Sequence, residues 1–268
     1  MRLTTFAYYG TFMFMEGASK IKVYVINLAR SKERWDKMAA QLAGVGIPFE
    51  RIEAVDGMSL SDAEIAECYS PLKNFFCYPR FMSKGEIGCY LSHIKAMRKI
   101  LHDGVKYGVV LEDDLTVSPE LAKLPKILSD IKFDFDCMKL ISPGYKKRVI
   151  ERIEIAGTEF VRWLKPPTYN AAYLMTGNGC KLFCQSRKKF YRPVDVDIQY
   201  FWESNLKIVG IFPEMFSFAA DSKVSTIDVK GRKKSKTTFP LARLVEEIYY
   251  YANALRYRNS SSLLSKSK

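Results

Sequence analysis

The most informative segment of the chain is an apolar run that ends in three consecutive carboxylates. Residues 107–111 read Tyr-Gly-Val-Val-Leu and are followed directly by Glu112, Asp113 and Asp114. Such a run is typical of a buried strand, which would place the three acids at the carboxyl edge of a sheet. Adjacent carboxylates repel one another unless a cation lies among them, and their hard oxygens suit Mg²⁺ or Mn²⁺. The run therefore predicts a metal site; a solvated acidic turn is the alternative.

Strand and helix patterns alternate around this run. Strands are expected near 21–28, 48–55, 107–112, 135–141, 170–176 and 206–211, and helices near 31–43, 60–68, 84–102, 119–129, 178–189 and from Val194 onward. Residues 148–155 and 159–164 are expected to form a hairpin. The alternation predicts an α/β fold with a mostly parallel sheet covered by helices. Ligands of such sheets bind beyond the carboxyl ends of the strands, so Asn27, Asp56 and the three acids should converge.

The helix expected at 84–102 has a distinctive beginning. Ser83 and Glu86 have the spacing of a capping box, and Ser92 and His93 share a later turn of the same helix. Gly88 inside this helix costs about 1 kcal/mol relative to alanine. We therefore expect another segment to pack closely against Gly88.

Charge distinguishes the C-terminal part of the chain. Residues 228–268 are predicted to be a basic linker with a C-terminal amphipathic helix. The net charge is +13, and residues 223–268 hold 11 Lys/Arg against three Asp/Glu. This basic balance permits nucleic acid, anionic membrane or anionic glycolipid as a partner, but no nucleic-acid-binding motif accompanies it. Six cysteines without a CxxC pair, and no apparent secretory signal, predict reduced thiols in the cytoplasm.

Several ordered segments resemble one enzyme family. Gly-Glu-Ile-Gly-Cys-x-x-Ser-His at 85–93, followed by Leu-Glu-Asp-Asp at 111–114, is similar to glycosyltransferase family 25. The resemblance runs from about Lys20 to about Ile227 and includes 23–28, 49–57, 170–175 and 193–195. It implies a glycosyltransferase catalytic domain at residues 20–227, preceded by an N-terminal extension at residues 1–19. The family contains bacterial lipooligosaccharide galactosyl- and glucosyltransferases and resembles the collagen galactosyltransferases. It implies a glycosyltransferase-A-like α/β fold, which is a Rossmann-type mixed sheet flanked by helices, here followed by a basic C-terminal helical tail. It also implies inverting transfer of galactose or glucose from a UDP-sugar to a lipooligosaccharide core.

The chemistry of such a transfer assigns roles to individual residues. Glu112 and Asp114 are predicted to bind Mn²⁺ or Mg²⁺, with Asp114 as the best direct ligand. The UDP-sugar is expected to contact Asn27, Leu28, Arg34, Ala54, Asp56, Ser92, His93 and Asp113. Asp195 is predicted to be the catalytic base, with Asp197 as the second candidate; a simple helix cap is the alternative for Asp195.

The C-terminal segment predicts a membrane contact. Apolar residues recur at helical spacing from Leu241 to Leu255 beside basic and tyrosine residues, which is typical of a helix lying on an anionic bilayer. A terminal helix docked on the body is the alternative. The predicted location is the cytoplasm, peripheral on the inner face of the inner membrane. Two other functions stay open: collagen-type hydroxylysine galactosylation, and a basic nucleic-acid-binding protein that would have no use for the acids at 112–114.

Overall fold

The computed structural model describes residues 21–142, 147–219 and 240–260. The predicted extension at 1–19 and the basic linker after residue 228 lie outside these residues. Among the helices described, none combines the length and the apolar character that a membrane crossing requires.

An eight-stranded mixed sheet forms the centre of the fold. In spatial order its strands are β2 (Phe49–Glu53), β1 (Ile21–Asn27), β3 (Tyr107–Glu112), β8 (Ala172–Thr176), β5 (Cys137–Lys139), β9 (Ile208–Phe212), β7 (Thr158–Trp163) and β6 (Val149–Ile155). β1 runs parallel to β2 and β3, and β5 runs parallel to β9. β8 is antiparallel to both β3 and β5, and β6 and β7 form the predicted hairpin. The expected mixed α/β sheet is confirmed.

Helices cover both faces of this sheet. They are α1 (Lys32–Ala43), α2 (Asp62–Cys68), α3 (Pro71–Cys77), α4 (Lys84–Asp103), α5 (Leu124–Asp130), α6 (Gly177–Ser186), α7 (Val194–Gln199), α8 (Phe201–Ser204) and α9 (Pro240–Ser260). Val109 and Leu111 of β3 pack in a core cluster with α1 and α5, whereas Val110 packs in a second cluster with α4 and α6. Burial on both faces explains why β3 is uniformly apolar rather than alternating.

Some predicted boundaries were wrong. Expected strand 135–141 is paired only at Cys137–Lys139, and the expected helix at 119–129 divides into a 3₁₀ turn (Pro119–Lys123) and α5. Pro125 near the start of α5 removes a backbone donor, which favours such a break. A second small sheet was not expected: β4 (Leu115–Val117) pairs with β10 (Phe216–Phe218).

The C-terminal helix packs on the body along one face. Tyr250 and Ala254 are buried against Tyr200 and Trp202, and Tyr250 donates a hydrogen bond to the carbonyl of Gln199 (3.2 Å). This face of the C-terminal helix is therefore docked on the body, as the alternative interpretation of the sequence proposed. The opposite face remains exposed, as described below.

Candidate functional site

A pocket of about 360 Å³ opens at the carboxyl ends of β1, β2 and β3. It is lined by nine of the residues predicted to bind donor or metal: Leu28, Arg34, Ala54, Asp56, Ser92, His93, Glu112, Asp113 and Asp114. These residues come from the ends of three strands and from two helices, and the first and last of them are 86 positions apart in the sequence. The expected convergence of the strand ends is therefore confirmed, and the volume falls within the ~300–1,000 Å³ of small-molecule sites.

Asp113 is held in place from the β1 side of the pocket. The side-chain amide of Asn27, at the end of β1, donates to its Oδ2 (2.6 Å), and Arg34 of α1 lies 3.4 Å from its Oδ1. Burial raises the pKa of Asp113, while the bonds from Asn27 and Arg34 oppose that effect. Asn27 is itself buried, so it acts on the site through Asp113.

Asp114 has no such support. Its Oδ1 is buried and has no hydrogen-bond partner. Burial first, and then the charges of Glu112 and Asp113, raise the pKa of Asp114 to about 6. A half-buried carboxylate that has one unpartnered oxygen and lies beside two other acids is poorly compensated by the protein alone. A divalent cation would supply the missing positive charge, so these residues fit Mg²⁺ or Mn²⁺.

His93 faces the carboxylates from α4. Its Nε2 lies 3.5 Å from Oε1 of Glu112, and its Nδ1 lies 3.0 Å from the hydroxyl oxygen of Tyr173. The ring is fully buried, and its Nε2 has no hydrogen-bond partner. Tyr173 therefore fixes the ring with one nitrogen directed at the pocket.

Two glycines allow α4 to approach the turn that carries Asp56. A Cβ on Gly88 would lie 2.5 Å from the backbone nitrogen of Gly57 and 2.6 Å from the carbonyl oxygen of Val55. The predicted close packing at Gly88 is thus confirmed. Ser92 ties the same turn to the helix: its hydroxyl accepts from the Val55 amide (2.8 Å) and donates to the Gly88 carbonyl (2.7 Å). Ser92 positions this wall of the pocket.

Several pocket residues were not among the predicted site residues. Arg30 pairs with Asp56, and Lys84, at the start of α4, lies 3.4 Å from Asp62. Both basic residues line the pocket, as does Cys89. Cys89 precedes His93 by four residues, and this spacing places both side chains on one helix face. The four-residue spacing from His93 could have identified Cys89 as a site residue from the sequence.

Asp195 is half-buried at the start of α7 and is not among the residues that line the pocket. Burial raises its pKa; nearby Lys139 opposes this, and the charge of Glu112 adds to it. Asp195 is therefore within electrostatic reach of the acidic run. Lys139 is buried and bonds Oδ1 of Asn170, whose amide donates to the Val194 carbonyl (3.2 Å), so this network supports the start of α7.

Asp197 has the environment of a structural residue. It is 1% exposed and accepts from Arg192 (2.6 Å), Arg187 (2.7 Å) and the Tyr90 hydroxyl (2.5 Å). Burial alone would raise its pKa, but the two arginines lower it. A carboxylate with both oxygens engaged in this way holds α7 against α4. It is poorly placed to accept a proton from a substrate, and this geometry favours Asp195 over Asp197 as the base.

The amino-acid sequence matches a known protein family. The sequence profile described as "Glycosyltransferase family 25 (LPS biosynthesis protein)" matches residues 20–198, about two thirds of the chain. The chain belongs to glycosyltransferase family 25. The matched region contains β1 to α7 and hence the whole pocket.

The chain is similar to parts of several curated family 25 proteins. It is 31% identical over 140 residues to procollagen galactosyltransferase 2 of Mus musculus, covering 50% of this chain and 22% of that protein. It is 31% identical over 165 residues to a family member of Anopheles gambiae, covering 59% of this chain and 28% of that protein. A human relative described as inactive is 30% identical over 130 residues, covering 47% of this chain and 22% of that protein. The aligned region thus spans about a quarter of these relatives' length.

Solved structures resemble the chain more distantly. A glycosyltransferase involved in glycosylation of the major capsid of PBCV-1 has a TM-score of 0.33 and 11% identity, covering 62% of this chain and 64% of that chain. A nucleotide-diphospho-sugar transferase from Desulfovibrio desulfuricans, described as putative, has a TM-score of 0.36 and 11% identity. The match covers 88% of this chain and 98% of that chain. The fold assignment rests on the sheet topology itself.

Proposed function

We propose that this chain is an inverting glycosyltransferase that moves galactose or glucose from a UDP-sugar to a lipooligosaccharide core. The observation that carries the proposal is the meeting of three carboxylates, Arg34 and His93 in one pocket at the carboxyl edge of the sheet, where buried Asn27 holds Asp113 by a hydrogen bond. Sheets of this class bind nucleotides at that edge. Family membership supports sugar transfer as the reaction class.

The surroundings of the acids support a division of labour among them. Asp113 already accepts bonds from Asn27 and Arg34, which suits a fixed contact to the donor sugar or ribose. Asp114 has an unpartnered oxygen and Glu112 lies on the α4 side, so these two are the proposed ligands of Mn²⁺ or Mg²⁺. When bound, the cation would neutralise charge on the departing diphosphate. Arg30 and Lys84 add protein cations to the same pocket.

Asp195 is the proposed base. Its carboxylate takes the proton of the acceptor hydroxyl, the acceptor oxygen bonds to the anomeric carbon, and the bond from that carbon to the diphosphate oxygen breaks, releasing UDP. A single displacement of this kind inverts the anomeric configuration. The raised pKa of Asp195 suits this role because a more basic carboxylate accepts a proton more readily.

A glycolipid acceptor fits the exposed apolar surface near the C-terminus. On α9, Leu244 is 55% and Ile248 62% exposed, and on neighbouring α3, Leu72 is 71% and Phe76 63% exposed. Large exposed apolar side chains on a helix that follows a basic stretch of the sequence are expected on a surface that rests on an anionic bilayer. We therefore propose a peripheral position on the inner face of the cytoplasmic membrane.

The experiment is a panel of UDP-sugars scored by release of UDP with a lipooligosaccharide core acceptor and Mn²⁺. UDP-galactose or UDP-glucose should give acceptor-dependent release. A hydroxylysine-containing collagen peptide tests the second candidate, favoured by similarity to a procollagen galactosyltransferase. If only the collagen peptide stimulates release, the proposed acceptor is wrong; if no UDP-sugar is turned over with any acceptor, the donor is wrong.

A further inference from the structure

Cys89, His93 and Glu112 form a cluster that the transfer reaction does not fully use. One ligand atom from each, the sulfur, an imidazole nitrogen and a carboxylate oxygen, lie within 4.8 Å of one another. Cys89 and His93 lie one turn apart on α4, and Glu112 ends β3 opposite them. All three line the pocket, so an ion can reach them from solvent.

The spacing approaches that of a metal site before any ligand moves. Zinc bonds of ~2.0–2.3 Å in a tetrahedron place neighbouring ligand atoms about 3.3–3.7 Å apart. The Nε2 of His93 and Oε1 of Glu112 are already separated by 3.5 Å. The ligand atoms all lie within 4.8 Å of one another, so the Cys89 sulfur has to approach the other two by at most about 1.5 Å.

His93 is an independent indication that this cluster binds a metal ion. His93 is 0% exposed, yet its Nε2 has no hydrogen-bond partner. When Nδ1 donates its proton to the Tyr173 hydroxyl oxygen, Nε2 presents its lone pair to the cluster. Metal-binding histidines are commonly oriented in this way through the other ring nitrogen.

The chemical character of the donors selects the metal. Sulfur and imidazole ligands favour Zn²⁺ and related borderline ions, whereas carboxylate oxygens alone favour Mg²⁺ and Mn²⁺. Glu112 is a member of this cluster and is also a proposed ligand of the Mn²⁺ or Mg²⁺ ion of the donor site. A Zn²⁺ ion that takes an oxygen of Glu112 therefore competes for this carboxylate with the Mn²⁺ or Mg²⁺ ion of the donor site.

We propose that Cys89, His93 and Glu112 form a second cation site, specific for Zn²⁺ or a similar borderline metal, whose occupancy excludes the nucleotide donor. Binding replaces the Cys89 thiol proton with a sulfur–metal bond and releases that proton to solvent. The fourth coordination position faces the pocket. The exclusion of the donor rests on the proposed function, whereas the metal site itself does not.

Zinc X-ray absorption of the wild-type protein, loaded with one equivalent of Zn²⁺, tests the site without any substitution. The expected coordination shell contains one sulfur and one imidazole nitrogen. A shell of oxygen atoms alone overturns the proposal.

Cobalt absorption tests the residue assignment. Co²⁺ should give a thiolate-to-cobalt charge-transfer band that is lost in Cys89→Ser and kept in Cys77→Ser, a matched change at an exposed cysteine on α3. A band that persists in a folded Cys89→Ser overturns the assignment. If that variant does not fold, the zinc absorption result decides alone.

Calorimetry tests the exclusion. One equivalent of Zn²⁺ should weaken Mn²⁺-dependent UDP binding to the wild type at least tenfold, and the UDP affinity of Cys89→Ser should not respond to Zn²⁺. An unchanged wild-type affinity overturns the exclusion. If the wild type binds no UDP even without Zn²⁺, the proposed function fails, and the zinc site is judged on the two absorption experiments.

Discussion

The side-chain amide of Asn27 lies 2.6 Å from Oδ2 of Asp113, joining the carboxyl end of β1 to the acidic run that follows β3. The two residues are 86 positions apart and meet because β1 and β3 are parallel neighbours in the sheet. Asn27 also donates to the carbonyl of Ser31 (2.9 Å), which closes the turn before α1. One buried amide therefore fixes both the turn and the acid.

Asn27→Ala should weaken donor binding by disordering Asp113. A hydrogen bond to a charged group contributes ~1.5–3 kcal/mol, so both the unfolding free energy and the Mn²⁺-dependent UDP affinity should fall. Gln41→Ala is the matched control, because Gln41 bonds the backbone of Leu115 and Val117 outside the pocket. It should reduce stability without changing UDP affinity. Equal effects of both variants on affinity would contradict a specific role for Asn27.

Asp114→Asn should stabilise the metal-free protein at high pH. The pKa of Asp114 is raised to about 6 in the folded state, against ~4 for an ordinary aspartate. An acid with a raised folded pKa contributes stability below its unfolded pKa and loses it as pH rises through the folded pKa. The variant should therefore gain about 1–3 kcal/mol at pH 8 and little near pH 4, measured by urea unfolding.

The control for this pH dependence is Asp62→Asn. The Asp62 side chain is 98% exposed, so its substitution should change stability little at either pH. An Asp114→Asn variant that is less stable than wild type at pH 8 without metal would show that the charge at 114 is well compensated by the protein.

Asp195→Asn and Asp197→Asn should separate catalysis from stability. Loss of a general base costs typically 10²–10⁴-fold in turnover, so Asp195→Asn should be folded, slow and unchanged in UDP affinity. Asp197→Asn leaves Arg187 and Arg192 without their buried partner, which costs about 3–5 kcal/mol. Thermal unfolding and UDP release measured on both variants decide the matter; a fully active Asp195→Asn means that another group is the base.

Gly88→Ala should displace the turn that carries Asp56. The added methyl group meets backbone atoms of Val55 and Gly57 at 2.5–2.8 Å, and forced overpacking costs typically 1–3 kcal/mol. Gly44→Ala at the end of α1 is the control, because the nearest atom to its Cβ would be 4.0 Å away. Gly88→Ala should lose stability and UDP affinity, whereas Gly44→Ala should keep both; a Gly88→Ala protein with wild-type stability contradicts the close approach.

Replacing Ile248 on the exposed face of α9 by glutamate should weaken binding to anionic liposomes. The change removes an apolar contact and adds a charge that the bilayer repels, so sedimentation with liposomes should fall at low salt, and wild-type binding should fall as salt rises. Arg243→Gln, one exposed charge on the same helix, should have a smaller effect. Truncation is a poorer test because it uncovers Trp202 and Tyr200. Wild-type protein that ignores anionic liposomes at low salt would contradict the membrane contact.

The sequence predicted the features that depend on short, local patterns. The apolar run of β3, the capping box of α4 and the position of the acids at a sheet edge follow from side-chain periodicity and capping chemistry. Parallel strands end at one edge, so the convergence of Asn27, Asp56 and Glu112 required no further information.

The features that the sequence could not predict depend on distant partners. Asp197 and Asp195 stand two residues apart, and only the folded positions of Arg187, Arg192 and Tyr90 make Asp197 structural. In α9, apolar residues occur around much of the helix, so the sequence could not specify whether Tyr250 or Ile248 faces the body. Pairing of β4 with β10 joins segments of three residues, too short for periodicity to predict.

Calorimetric titration of UDP into the wild-type protein and Asp114→Asn, each with and without Mn²⁺, tests the proposed donor site most directly. The wild type should bind UDP, and Mn²⁺ should tighten that binding at least tenfold. Asp114→Asn should remain folded and lose this metal-dependent gain, because the carboxylate that the cation requires is gone. Metal-dependent UDP affinity that is unchanged in Asp114→Asn, or a wild type that binds no UDP, would contradict the assignment of the acidic run as the donor site.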